Sequence, residues 1–142
     1  MTSQDHDKWA MGWAERTALN SGDPSTKVGA ALFRDGAIRA LGHNHLPPGT
    51  PEEWWHDRDR KYAHVVHAEE ALLLKTGFSS EGATMYVTHH PCAACARLIA
   101  AAGVARVVCP SGPWRDDPAI HATVNAAKET LRRAGVQMSY TD

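Results

Sequence analysis

The sequence predicts an α/β fold of three layers, in which helices cover both faces of a mixed five-stranded sheet. Segments with strand character alternate with helical segments along the 142 residues, and strands joined by helices pair in parallel through right-handed crossovers. Asp35-Gly36 lies between two apolar segments and is typical of a two-residue hairpin, so the first two strands are predicted to be antiparallel. A helix precedes the last strand, which is therefore predicted to be parallel. The length suits a single domain over residues 1–142.

Turn and capping residues set the boundaries of the predicted elements. Ser21-Gly22 closes the first helix, and Gly77, Gly103 and Gly135 end the later ones. The predicted helices are residues 5–20, 67–76, 92–102 and a last helix that opens at 117, and the predicted strands are residues 27–34, 37–42, 83–88, 105–109 and 136–140. Residues 43–61 are proline-rich and are predicted to form a long loop.

The last predicted helix has the clearest pattern. Asp117 suits the N-cap and Pro118 suits the first helical position. Apolar residues follow at spacings of 4, 3 and 4, which places them on one buried face. These residues are Ile120, Val124, Ala127 and Leu131.

Composition and charge exclude several classes of function. The formal net charge is −1, which argues against a polyanion-binding protein. The first 20 residues carry acidic side chains among the apolar ones, unlike a signal peptide, and no apolar run is long enough to span a membrane. The chain has three cysteines, and this small, odd number argues against a disulfide framework. These features predict a cytoplasmic protein that uses cysteine for metal binding or redox chemistry.

Two short segments carry the predicted chemistry: His67-Ala68-Glu69 and Pro91-Cys92-Ala93-Ala94-Cys95 each stand at the start of a predicted helix. Zinc prefers thiolate and imidazole ligands, and three protein ligands leave a fourth position for water, as in catalytic sites. Cys92 and Cys95 are one helical turn apart, so both sulfurs can reach one ion that His67 also binds. Glu69 can then move protons between water and a departing amine. This combination is the signature of zinc nucleobase deaminases.

Less specific interpretations of the same residues stay open. Cys92 and Cys95 alone suit a redox pair, and His64 or His89 could complete a four-ligand structural zinc site. Cys109, at the end of a predicted strand, is expected to be a small buried residue. The mixed-charge run at residues 58–61 is typical of a solvated surface, with phosphate binding by one of its basic residues as the alternative.

Four segments together resemble the deoxycytidylate (dCMP) deaminase family of the cytidine deaminase-like superfamily. They are DPSTKVGA at 23–30, GHN at 42–44, KYAHVVHAEEAL at 61–72 and MYVTHHPCAACARLIAAAGV at 85–104. The resemblance implies a cytidine deaminase-like fold, hydrolysis of dCMP to dUMP and ammonia, and assembly into a homo-oligomer, either a dimer or a hexamer. It also implies that His67, Cys92 and Cys95 bind zinc and that Glu69 transfers protons.

For substrate binding, the resemblance implies contacts from Asn44, the backbone of Ala68, and Trp114. The chain also departs from the family pattern, because His43 and His45 stand where Tyr and Gly are usual. A bulky His45 argues against regulation by nucleoside triphosphates such as dCTP and dTTP. It leaves another small base or nucleoside, such as cytosine, cytidine or guanine, as an alternative substrate. A nucleic-acid-editing deaminase and a non-catalytic zinc module are further alternatives.

Overall fold

A computed structural model describes residues 2–142, except for the side chains of residues 78 and 79. The strands are β1 (Gly29–Arg34), β2 (Ala37–His43), β3 (Thr84–Val87), β4 (Arg106–Cys109) and β5 (Gln137–Tyr140). The α-helices are α1 (Ser3–Ala18), α2 (Arg58–His64), α3 (Ala68–Thr76), α4 (Ala93–Ala101) and α5 (Pro118–Arg133). Short 3₁₀ helices lie at Glu52–His56 and Gly77–Ser80. Within the described chain, no helix is both long and apolar enough to cross a membrane.

The five strands form one mixed sheet in the order β2-β1-β3-β4-β5. Strand β1 runs antiparallel to both neighbours, whereas β3, β4 and β5 are parallel. Asp35 and Gly36 have φ values of 50° and 81°, which are the two positive values that a type I′ hairpin turn requires. The predicted hairpin, the mixed sheet and the parallel last strand are confirmed.

Side chains alternate between the two faces of the sheet, and each face has its own core. Ala31, Tyr86 and Val108 point to one face, where they pack with residues of α1. The neighbouring strand residues point to the other face and pack with Leu72 of α3, Ile99 of α4 and residues of α5. This arrangement confirms the predicted three layers with helices on both sides.

The predicted loop at residues 43–61 is wrong in its second half. A 3₁₀ helix forms at Glu52–His56, and α2 begins at Arg58 with the Asp57 side chain accepting a hydrogen bond from Arg60 N. Trp55 is buried, and Gly22 lies against its ring. The mixed charge of this segment gives no helical apolar pattern, so the sequence does not predict these two helices. They are held instead by the contact of Trp55 with Gly22, which are distant in sequence.

Gly42 lies where β2 passes under the first turn of α3. A Cβ there would lie 2.5 Å from the Ala68 carbonyl oxygen and 2.8 Å from Leu72 N, and neither backbone atom can rotate away. We expect Gly42→Ala to lower the free energy of unfolding by about 2–3 kcal/mol, a usual cost of overpacking, and to reduce metal occupancy by displacing α3.

Urea denaturation measures this loss of stability, and Gly12→Ala is the control variant. A Cβ at Gly12 meets no atom within 4 Å, and Gly12 lies inside α1, so Gly12→Ala should stabilise the protein by about 0.5–1 kcal/mol. Equal midpoints for Gly42→Ala and the wild type would contradict the close approach of β2 and α3.

Candidate active site

The side chains of His67, Cys92 and Cys95 meet at the starts of two helices. His67 is the N-cap of α3, Cys92 is the N-cap of α4, and Cys95 lies in the first turn of α4. His67 Nδ1 is 3.5 Å from Cys92 Sγ and 3.3 Å from Cys95 Sγ. Tetrahedral zinc with its usual bond lengths would separate such nitrogen and sulfur ligands by roughly 3.5 Å. The donor set therefore fits zinc in both chemistry and size.

Local structure explains why these side chains converge. His67 and Cys92 are N-caps with extended backbone conformations, so each side chain projects beyond the N-terminal end of its helix. His67 N donates to Glu70 Oε1 at 2.9 Å, which fixes the start of α3. Ala93 N donates to Thr123 Oγ1 at 2.8 Å, which fixes the start of α4 against α5. Thr123 has no sequence signal for this role, because the contact joins residues far apart in the chain.

Hydrogen bonds among the three groups shift their pKa values. Hydrogen bonding to Cys92 raises the pKa of His67 to about 9. The hydrogen bond from Cys95 lowers the pKa of the Cys92 thiol to about 4, whereas the bond to Cys92 raises the pKa of Cys95. A divalent ion that replaces these protons would gain one imidazole and two thiolate ligands.

Glu69 is a buried carboxylic acid beside this group. Its side chain lines the same cleft as His67 and Cys92, and the residue is only 5 % exposed. Burial raises the pKa of Glu69 to about 7, against the lowering effect of His67. A carboxyl group with a pKa near neutrality can both accept and donate a proton.

An open cleft with an empty volume of about 610 Å³ leads from the surface to these residues. The three residues predicted to contact substrate, Asn44, Ala68 and Trp114, all line this cleft. The structure thus places every predicted site residue around one cavity or in direct contact with a residue that lines it.

Asp23, to which the sequence interpretation gave no role, organises one wall of the cleft. It is 2 % exposed, and its carboxylate accepts hydrogen bonds from Lys61 Nζ at 2.9 Å and Asn44 Nδ2 at 3.3 Å. It also accepts from Ser25 N and Thr26 N, as in the local turns that Asp often forms. The motif DPST was a signal for that turn, but the bonds to Lys61 and Asn44 depend on tertiary structure.

Comparison with known proteins agrees with this geometry. Residues 4–111 match the family described as "Cytidine and deoxycytidylate deaminase zinc-binding region". The chain belongs to this deaminase family. It is 32 % identical over 137 residues to the uncharacterized deaminase of the luxG 3′ region of Aliivibrio fischeri, covering 94 % of this chain and 93 % of that protein. It is 35 % identical over 125 residues to the deoxycytidylate deaminase of Mycobacterium phage D29, covering 78 % and 98 %.

A solved structure also superposes on nearly the whole chain. The dCMP deaminase from cyanophage S-TIM5, crystallised in complex with dCMP and dUMP, matches with a TM-score of 0.74 and 26 % identity. The match covers 99 % of both chains. The predicted resemblance and the cytidine deaminase-like fold are confirmed.

The candidate metal group contains three potential protein ligands rather than four. Within residues 2–142, His67, Cys92 and Cys95 form the one group of three or more potential metal ligands. The His64 ring lies on Trp54, 4.5 Å between centroids, and His89 Nδ1 lies 2.9 Å from Thr88 Oγ1. The interpretation as a four-ligand structural site therefore finds no support in the geometry.

Cys109 is buried in the core, as predicted.

Residues 43–45 contact the segment that precedes α3. His45 exchanges two backbone hydrogen bonds with Val66, at 3.0 and 2.8 Å, and its ring is 5.7 Å from that of His43. The segment is thus tied to the residue just before His67. The absence of triphosphate regulation stays a prediction.

Proposed function

We propose that this protein is a zinc-dependent hydrolase that converts dCMP to dUMP and ammonia. The observation that carries the proposal is the convergence of His67, Cys92 and Cys95 beside the buried carboxyl of Glu69. The choice of dCMP is supported by the relatives named deoxycytidylate deaminase and by the similar structure crystallised with dCMP and dUMP. Residues 1–142 would form one catalytic domain.

Each site residue has a distinct role in the proposed reaction. His67, Cys92 and Cys95 would hold the zinc ion, which when bound lowers the pKa of a water molecule to about 7. Glu69 accepts a first proton from the attacking water at its carboxylate and passes it to the ring nitrogen of cytosine. It then takes the second proton from the newly bonded oxygen and gives it to the amine, which leaves as ammonia while that oxygen becomes the carbonyl.

The cleft walls would orient the base for this proton transfer. The backbone of Ala68 precedes Glu69 and would lie against the base carbonyl. Asn44 uses both amide hydrogens on Thr26 O and Asp23 Oδ2, so it would meet the substrate through its oxygen, which already accepts from Val28 N. Trp114 would cover the base from the β4–α5 loop.

An ammonia-release assay on dCMP, CMP, deoxycytidine, cytosine and guanine tests the proposal. We expect dCMP to be the best substrate, a zinc chelator to stop turnover, and added Zn²⁺ to restore it. A preference for guanine or free cytosine would contradict the substrate. One bound metal per chain with no ammonia from any of these compounds would favour the non-catalytic zinc module.

A further inference from the structure

His89 lies on the short segment that joins strand β3 to helix α4. It lines the active-site cleft together with His90 and Cys92 of the same segment. The reaction proposed above uses only Cys92 from this wall of the cleft, so it gives the imidazole of His89 no role.

Thr88 fixes the His89 ring through its hydroxyl group. Thr88 itself is held by β1, because Thr88 N donates to Gly29 O at 3.0 Å and Gly29 N donates to Thr88 Oγ1 at 3.1 Å. Thr88 Oγ1 is also 2.9 Å from His89 Nδ1. A hydroxyl that accepts from Gly29 N still has its own proton, and donating that proton to Nδ1 satisfies all three groups. A neutral His89 ring then carries its proton on Nε2.

The Nε2 atom of His89 is accessible to a ligand. In the described part of the chain it has no hydrogen-bond partner, and the one buried side-chain nitrogen or oxygen without a partner there is His90 Nε2, so solvent reaches His89 Nε2. Burial of the ring lowers the pKa of His89, which keeps it neutral at pH 7. His90 differs, because its Nδ1 bonds to Pro91 O at 2.9 Å and its Nε2 is enclosed. His89 thus supplies the accessible imidazole N–H of this wall.

The proposed reaction determines which edge of the base faces His89. Glu69, at the start of α3, exchanges a proton with ring nitrogen N3 of cytosine. The carbon that loses its amine, C4, must lie at the metal group between the starts of α3 and α4. C5 is on the opposite side of C4 from N3, so it points away from α3 and toward the segment that precedes α4. The wall that contains His89 therefore faces position 5 of the base.

We propose that His89 is a specificity-determining residue whose Nε2–H donates a hydrogen bond to a substituent at position 5 of the cytosine ring. This inference rests on the proposed function and adds that the site distinguishes a 5-hydroxymethyl group, which can accept this bond, from a 5-methyl group, which cannot. An apolar wall would favour the methyl group instead, because an enclosed hydroxyl without a partner costs free energy.

Competition between two analogues on the zinc-loaded protein tests the role of His89. We expect His89→Leu to lower the ratio of kcat/KM for 5-hydroxymethyl-dCMP to that for 5-methyl-dCMP by about 3- to 10-fold, the usual worth of one neutral hydrogen bond. His89→Gln, whose amide can donate from a similar position, should restore most of the ratio. The ratio cancels any general change in activity. His64→Leu is the control, because the His64 ring lies on Trp54, and it should keep the wild-type ratio.

Two further measurements do not need turnover. In calorimetry, the wild type should bind 5-hydroxymethyl-dUMP more tightly than 5-methyl-dUMP, and His89→Leu should lose that difference. Nitrogen-15 NMR of histidine-labelled protein should show the His89 proton on Nε2.

Equal analogue ratios in the wild type and His89→Leu, or a His89 proton on Nδ1, would overturn the role of His89 and leave the deaminase function standing. Turnover of dCMP with neither reaction nor binding of the 5-substituted compounds would also overturn it, because position 5 would then face a closed wall. Absence of ammonia from every cytosine compound would instead overturn the proposed function, and binding of the two 5-substituted products would still decide the role of His89.

Discussion

Replacing Glu69 with Gln is expected to stop deamination while the protein keeps its fold and its metal. Gln has nearly the same shape, so the buried position beside His67 stays filled, but an amide cannot take a proton from water or return it to the amine. Positioned general acid–base groups contribute about 10²- to 10⁴-fold to rates, and we expect kcat on dCMP to fall by at least the lower value.

The measurement pairs ammonia release with metal content and thermal unfolding of the same preparation. Glu81→Gln is the control, because Glu81 is exposed and precedes β3, at the end of that strand away from the site. Near-full ammonia release by the Glu69→Gln variant would show that another group moves the proton. Loss of metal would mean that Glu69 is a ligand.

The second large effect is expected from Cys95→Ser. Cys95 is fully buried, and its sulfur contacts His67 Nδ1 inside the ligand group. Changes to outer-shell partners of metal ligands typically cost 10- to 100-fold in metal affinity, so loss of one of three ligands should weaken zinc binding by at least about 100-fold.

Cys109→Ala is the matched control, because Cys109 is equally buried but lies in the core on β4. It should keep one zinc per chain in competition with a chelating dye, although loss of the sulfur will lower stability somewhat. Circular dichroism at equal concentration separates metal loss from unfolding. Cys95→Ser protein that holds zinc as tightly as the wild type would remove Cys95 from the proposed ligand set.

The sequence was most informative where a local rule and a chemical requirement coincide. His67 and Cys92 stand at predicted helix starts, and zinc's preference for imidazole and thiolate ligands together with the deaminase signature predicted the group. The alternation of strands and helices predicted the layers in the same way, because each element must bury its own apolar face.

The walls of the cleft could not be predicted in this way. Lys61 meets Asp23 across 38 positions of sequence, and Asn44 meets Asp23 across 21. The 3₁₀ helix at Glu52–His56 is anchored by Trp55 on Gly22, which no local pattern reveals. Arg58 and Arg60 look alike in sequence, but Arg60 pairs with Asp57 and lies over the Trp54 ring, whereas Arg58 lies over the Tyr62 ring. Cytoplasmic location and homo-oligomeric assembly stay predictions from sequence.

X-ray absorption at the zinc edge of the wild-type protein, with metal quantified per chain, tests the proposed centre most directly. We predict one zinc with two sulfur ligands at about 2.3 Å and two lighter donors at about 2.0 Å, of which only one is an imidazole. The spectrum should be the same for the His64→Ala and His89→Ala variants, since neither side chain belongs to the group. A zinc ion with four protein ligands, or a preparation that binds no zinc at all, would contradict the account.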